Sequence, residues 1–188
     1  MYDLEEYLGS FGIFTKEEIK EAAQLYTVRN VDKNYFFIRE GKVSEEVGFI
    51  KSGIFRSFYT GDDANETTYC FRFPNEMITA YSSFITGGPS VESMQAITPA
   101  ELLVIKKKDI EKISENINWI RFSKIIAEYE FIELENRLFQ FQRNSAAERY
   151  KSLLENQPEY IKNIPLQYLA SYLGISQRHL SRIRKEIF

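Results

Sequence analysis

Ile164-Pro165-Leu166-Gln167-Tyr168-Leu169-Ala170-Ser171-Tyr172-Leu173-Gly174-Ile175-Ser176-Gln177-Arg178-His179-Leu180-Ser181-Arg182-Ile183-Arg184-Lys185 reads as two short helices joined at a glycine corner. Pro165 suits a helix start. Leu166, Leu169, Ala170 and Leu173 recur at i, i+3, i+4 and i+7, which is one apolar face. Ala170 is small where a second helix must come close. Gly174 falls where the chain has to turn and a positive φ is often needed. Ile175 fills the corner, and Ser176 is a good N-cap for a helix whose inner face is Leu180 and Ile183. That arrangement leaves Gln177, Arg178, Ser181 and Arg182 on the outer face, near the end of the helix that enters a groove.

This spacing predicts a helix-turn-helix that reads the major groove of double-stranded DNA. Arginine grips guanine O6 and N7 bidentately, and glutamine pairs with adenine. The hydroxyl of Ser176 and the N–H groups at the helix start are expected to hold a phosphate. Arg184 and Lys185 are better placed for backbone charge than for base edges. His179 lies among them as a phosphate or sugar contact, or as a plain surface histidine.

Charge distribution supports a polyanion at this end. The whole chain carries a formal charge of −3, but Arg143 onward holds eight Lys/Arg against four Glu, leaving −7 on the rest. A basic tail on an acidic body points to DNA contact through the tail alone.

Upstream, Asn144-Ser145-Ala146-Ala147-Glu148 is a polar break with a capping-box pattern, opening a helix from Ala146 to about Glu155. Before it, Asn118 to Phe141 has no Gly or Pro and predicts a long helix. Its apolar positions Ile125, Ile126, Tyr129, Ile132, Leu134, Leu138 and Phe141 make a broad stripe, suited to packing against a second copy of the chain or to a core-facing helix. Lys106 to Asn116 reads as a shorter helix.

From Val28 to Ile105 the pattern changes to short runs rich in Val, Ile, Phe, Tyr and Thr. The runs are Tyr35–Ile38, Val47–Ile50, Ile54–Tyr59, Thr67–Phe71, Val91–Ala96 and Leu102–Ile105, broken at Gly41, Gly53, Gly61 and Gly87-Gly88-Pro89. Such spacing predicts a sandwich, roll or barrel, with Ile54 to Phe58 alternating as a half-buried strand. Leu4 to Leu25 predicts short helices, one capped by Thr15 with Glu18.

Composition excludes several chemistries. Cys70, between Tyr69 and Phe71, is the single cysteine and is expected to be a buried thiol; His179 is the single histidine. One of each makes neither a typical zinc site nor an iron–sulfur site, and a serine triad would need that same histidine. An enzyme on a cupin-like roll needs histidines on the strands, where there are none. No enzyme activity, metal or cofactor is therefore expected. No apolar run is long enough to cross a bilayer, and the acidic start Met1-Tyr2-Asp3-Leu4-Glu5-Glu6 lacks signal-peptide character, so no membrane partner and a cytoplasmic location are expected.

A β-rich segment, a long helix and a terminal Leu169-Ala170-Ser171-Tyr172-Leu173-Gly174-Ile175-Ser176 followed by Arg178 and Arg182 resemble the cyclic-AMP receptor protein/fumarate-nitrate regulator (Crp/Fnr) family over nearly the whole length. The resemblance implies an α+β chain: a double-stranded β-roll like a cyclic-nucleotide-binding domain over 1–117, a dimerisation helix over 118–143 and an all-α helix-turn-helix domain over 144–188. It implies a bacterial transcription regulator that binds a near-palindromic operator as a homodimer, with Gln177, Arg178 and Arg182 reading bases and RNA polymerase as a further partner. The family's phosphate-binding cassette is matched in part. Asn75-Glu76-Met77 keeps the acid that holds a ribose hydroxyl, but Ser90-Val91-Glu92-Ser93 lacks the arginine that grips the cyclic phosphate.

Cyclic AMP is thus disfavoured, leaving the roll for a small neutral or cationic effector, or for none. Asn75, Glu76, Tyr81, Ser82, Ser83 and Ser90 are the candidate lining residues. No strand pattern between Tyr160 and Pro165 is long enough for a wing, and the chain stops just after the second helix, so a wingless reader is expected. The other reading is a cyclic-nucleotide-binding-like interaction module whose helical tail docks protein rather than DNA.

Overall fold

The short apolar runs between Val28 and Ile105 become two four-stranded antiparallel sheets in the computed structural model, which describes residues 3–187. Two helices precede them, α1 (Leu4–Ser10) and α2 (Lys16–Ala23), the second closed by the Thr15–Glu18 capping box. The strands are β1 (Thr27–Val31), β2 (Phe36–Ile38), β3 (Glu46–Ser52), β4 (Phe55–Thr60), β5 (Glu66–Arg72) and β6 (Met77–Ile78); after helix α3 (Tyr81–Thr86) come β7 (Ser93–Ala96) and β8 (Ala100–Lys106). One sheet has the order β1-β8-β3-β6, the other β2-β7-β4-β5. In register, Phe49 faces Leu103 across β3 and β8, and Arg56 faces Gln95 across β4 and β7.

Both sheets contribute to one core: Ile50, Ile78, Leu102 and Val104 from the first, Phe37, Ile38, Phe55, Met94 and Ala96 from the second. Gly53, with φ +90, is needed where β3 turns into β4, because a Cβ there would lie 2.6 Å from the Pro99 carbonyl oxygen. The expected half-buried alternation of Ile54 to Phe58 is corrected: Phe55, Arg56, Ser57 and Phe58 are all buried. Phe55 joins the core, while the Arg56 guanidinium donates to Gln95 Oε1 through Nε (3.1 Å) and Nη2 (2.8 Å) and lies 3.9 Å from the Phe58 ring centroid. The polar half of the alternation is a buried hydrogen-bonded layer, not a solvated face.

The helices that follow are α4 (Lys107–Ile113), α5 (Ile117–Arg143), α6 (Ala146–Asn156), α7 (Pro158–Asn163), α8 (Leu166–Tyr172) and α9 (Gln177–Ile187). Contacts divide the chain into two units. The first runs to Tyr59 and includes Cys70–Ile126; the second joins Thr60–Tyr69 to everything from Ala127 on. The sequence reading placed divisions at 117/118 and 143/144, whereas this partition falls inside α5 and takes in the tip of the β4–β5 hairpin.

In the first unit an aromatic cluster ties the start of α5 to the N-terminal helices. Trp119 lies 4.4 Å from Phe14 and 5.7 Å from Phe122, and Phe122 meets Phe11 edge-on at 5.0 Å. In the second unit Tyr150, Leu153, Ile164, Leu169, Ala170, Leu173, Leu180 and Ile183 are buried. The segment expected to lack a wing strand contains α7, a helix opened by Pro158. No helix among the described residues is long and apolar enough to cross a membrane.

Candidate nucleic-acid interface

α8 ends in a Schellman motif. The Ile175 N–H donates to the Ala170 carbonyl (3.0 Å) and the Gly174 N–H to the Ser171 carbonyl (2.9 Å), with Gly174 at φ +67. α9 then starts at Ser176, whose Oγ accepts the His179 N–H (3.2 Å) and whose carbonyl accepts the Leu180 N–H (3.0 Å). Leu169 and Ala170 of α8 and Leu180 and Ile183 of α9 are buried, as the 3.6-residue periodicity requires.

The opposite face of α9 carries the predicted readers. Ser176, Gln177, Arg178, Arg182 and Lys185 are exposed, and His179 and Ser181 are half-buried. Among the described residues the side chains of Gln177, Arg178 and Arg182 have no intramolecular partner, so their donors are available to an incoming ligand. Arg184, expected with Lys185 as a backbone contact, is half-buried: its guanidinium lies 5.8 Å from the Tyr150 ring centroid of α6 and its Nε is buried without a partner.

Two features of the second unit had no signal in the sequence. Arg149, counted only as one of the basic residues, donates through Nη1 to the Asn144 carbonyl and through Nη2 to the Leu173 carbonyl (2.8 Å). Its guanidinium carbon lies 4.4 Å from the Phe141 ring centroid, and burial draws its pKa below the usual guanidinium value. The second feature is Ser171, whose Oγ accepts the Thr68 N–H (2.9 Å) and donates to the Glu66 carbonyl (3.1 Å) on β5. Arg137 of α5 donates to the Tyr69 carbonyl (3.1 Å) on the same strand. These pairings depend on chain folding over 68 to 105 residues.

The candidate ligand residues of the first unit do not converge on a described cavity. Asn75 sits at φ +73 in the turn before β6, and Glu76 accepts the Phe73 N–H through Oε2 (3.1 Å). Tyr81 and Ser82 are exposed on α3. The Ser83 hydroxyl accepts the Ser44 N–H (2.9 Å) and donates to the Gly88 carbonyl (2.5 Å), while Ser90 closes a turn onto Glu92. A cavity of about 380 Å³ lies elsewhere in this unit, lined by Phe37, Ile38, Val43, Ser44 and Lys106–Lys108 among others. Cys70 is buried, its Sγ 3.3 Å from the Phe71 carbonyl, as expected of an apolar thiol. Among the described residues no three His, Cys, Asp or Glu side chains gather as metal ligands.

Residues 28–116 match the family model for the cyclic nucleotide-binding domain. That span covers the eight strands, α3 and α4, so the two-sheet roll is the fold of that domain. Solved structures share the wider architecture. FixK2 of Bradyrhizobium japonicum superposes with a TM-score of 0.76 at 18% identity, over 86% of this chain and 84% of its own. The c-di-GMP responsive global regulator CLP of Xanthomonas campestris gives 0.68 at 16% identity, over 92% and 91%. The catabolite activator protein of Thermus thermophilus gives 0.55 at 21% identity, over 96% and 86%. At these identities the likeness is one of fold: a roll, a long helix and the helices that follow. No curated protein sequence matches the chain.

Proposed function

We propose that this chain is a DNA-binding transcription regulator that works as a homodimer, with α9 as its recognition helix. The observation that carries the reading is the outer face of α9: Gln177, Arg178 and Arg182 stand exposed and unpartnered beside a glycine corner, while the other face is buried. A structural role would not need unpaired guanidinium groups on a helix so firmly seated. Likeness of fold to a global regulator and a catabolite activator supports the same reading. The second copy is expected along α5, which would set two recognition helices about 34 Å apart on a near-palindromic site. RNA polymerase is a further partner on this reading, and the location is the cytoplasm. The chain is not read as an enzyme.

The roll is read as a sensor whose effector is not cyclic AMP, or as a roll with no effector. Ser90-Val91-Glu92-Ser93 has no arginine for a cyclic phosphate, and the Ser90 hydroxyl is already turned onto the Glu92 backbone.

The test selects duplexes from random-sequence DNA with the wild-type protein and measures affinity for the selected site. Arg178→Ala and Arg182→Ala are each expected to cost about 1–3 kcal/mol and to relax preference at one base pair. Affinity falls steeply with salt, and cyclic AMP leaves it unchanged. If neither variant alters affinity or preference, the tail is a protein-docking module instead.

A further inference from the structure

Arg149 stands in the first turn of α6, where the helix dipole disfavours a cation, and it has no carboxylate partner among the described residues. Its guanidinium reaches away from its own helix to the C-terminal ends of two others. Asn144 follows the last residue of α5, and Leu173 is the C-cap of α8. The Leu173 carbonyl is one that the Schellman bonds of the corner leave open. The same guanidinium stacks on Phe141, in the last turn of α5, and a Cβ added at Gly174 would lie 3.0 Å from Cε1 of that ring. One planar cation therefore bonds the exit of α5, bonds the corner before α9, and covers the ring packed between them.

We propose that Arg149 is the positioning residue that sets the angle between the long helix and the recognition helix, and so the separation of the two readers in a dimer. Arginine suits the task because its fixed fork serves two carbonyls while its face stacks on an aromatic ring; lysine offers a point charge and no stacking plane. Arg149 is not placed to touch DNA: both ends of its fork are occupied within the protein. Its effect is on geometry, which matters only when two half-sites are engaged together.

The proposal rests on the DNA-binding dimer, and the experiment separates the two. Wild type, Arg149→Met and Arg149→Lys are titrated with the duplex selected from random-sequence DNA, with a duplex carrying one half-site, and with full sites lengthened or shortened by one base pair. Failure of the wild type to bind any duplex sinks the functional reading and leaves nothing for Arg149 to position. With binding established, Arg149→Met is expected to keep half-site affinity within about twofold while full-site affinity drops on the order of tenfold or more. Its preference for the original spacing flattens as well. Arg149→Lys, which keeps a cation, retains the reader fold and shows the same flattened preference. Equal losses on half-site and full site, or unchanged spacing preference in both variants, overturn the proposal.

Discussion

At Gly174 the backbone takes φ +67, a conformation that costs an L-residue about 1–2 kcal/mol, and the space a Cβ would need is held by the Phe141 ring. Gly174→Ala is therefore expected to lower unfolding stability by about that amount despite alanine's better helix propensity. Chemical denaturation measures it, and a more stable variant would show that the corner does not need glycine. This residue was legible in the sequence, as were Ser176 and the Ser145–Glu148 pair, because each acts on backbone groups within three or four positions. Arg149, Ser171 and Arg184 were not. Arg149 reaches a carbonyl 24 residues away and Ser171 one 105 residues away, and no local pattern marks such partners. The candidate ligand set fared differently again: Ser83 and Ser90 have the chemistry to meet a ligand, but their hydroxyls hold backbone groups.

Among the elements, α5 is the one whose exposed face calls for a partner. Ile117, Ile120, Phe131, Leu134, Leu138 and Phe141 are all more than half exposed. With Lys124 and Ala127 they follow a strict alternation of three- and four-residue steps, the spacing expected of a two-stranded coiled-coil seam in which a polar residue such as Lys124 would fix register. Placing a charge in that seam by Leu134→Glu is expected to turn a dimer into a monomer in sedimentation equilibrium. A wild-type monomer at micromolar concentration would refute the seam. The long helix itself was legible from the absence of Gly and Pro, and the broad apolar stripe read along it is also exposed at Tyr129 and Ile132, each more than half exposed. The strands were legible where β-branched and aromatic residues clustered between glycines. β6 has two residues, α3 has no side-chain cap, and α7 has six residues, so none offered enough periodicity to stand out.

For the molecule as a whole, acid sensitivity is built into both units. Glu18 in the first and Glu148 in the second each accept the backbone N–H of their N-cap residue, which holds their carboxyls below the ordinary value of 4.5. A lowered carboxylate pKa stabilises the fold above the ordinary value, and that contribution is lost as pH falls through the lowered one. Melting temperatures should drop below about pH 4.5, with a shallower acid limb in Glu18→Gln/Glu148→Gln, since glutamine keeps the box without the charge. Identical acid limbs would exclude the two boxes as its source. The architecture, roll then long helix then shorter helices, was visible from the change between short β-branched and aromatic runs broken by glycines and 3.6-residue periodicity; where the units part was not, because the hairpin tip joins the later helices through tertiary bonds alone. Those bonds have a consequence beyond positioning. β5 ends its sheet, and on that margin the Ser171 hydroxyl takes one amide and one carbonyl that would otherwise be free to recruit a foreign strand. Ser171 thus guards that stretch of β5 against intermolecular β-stacking, and a chain severed before α8 would bare an amide and a carbonyl that the intact protein keeps paired.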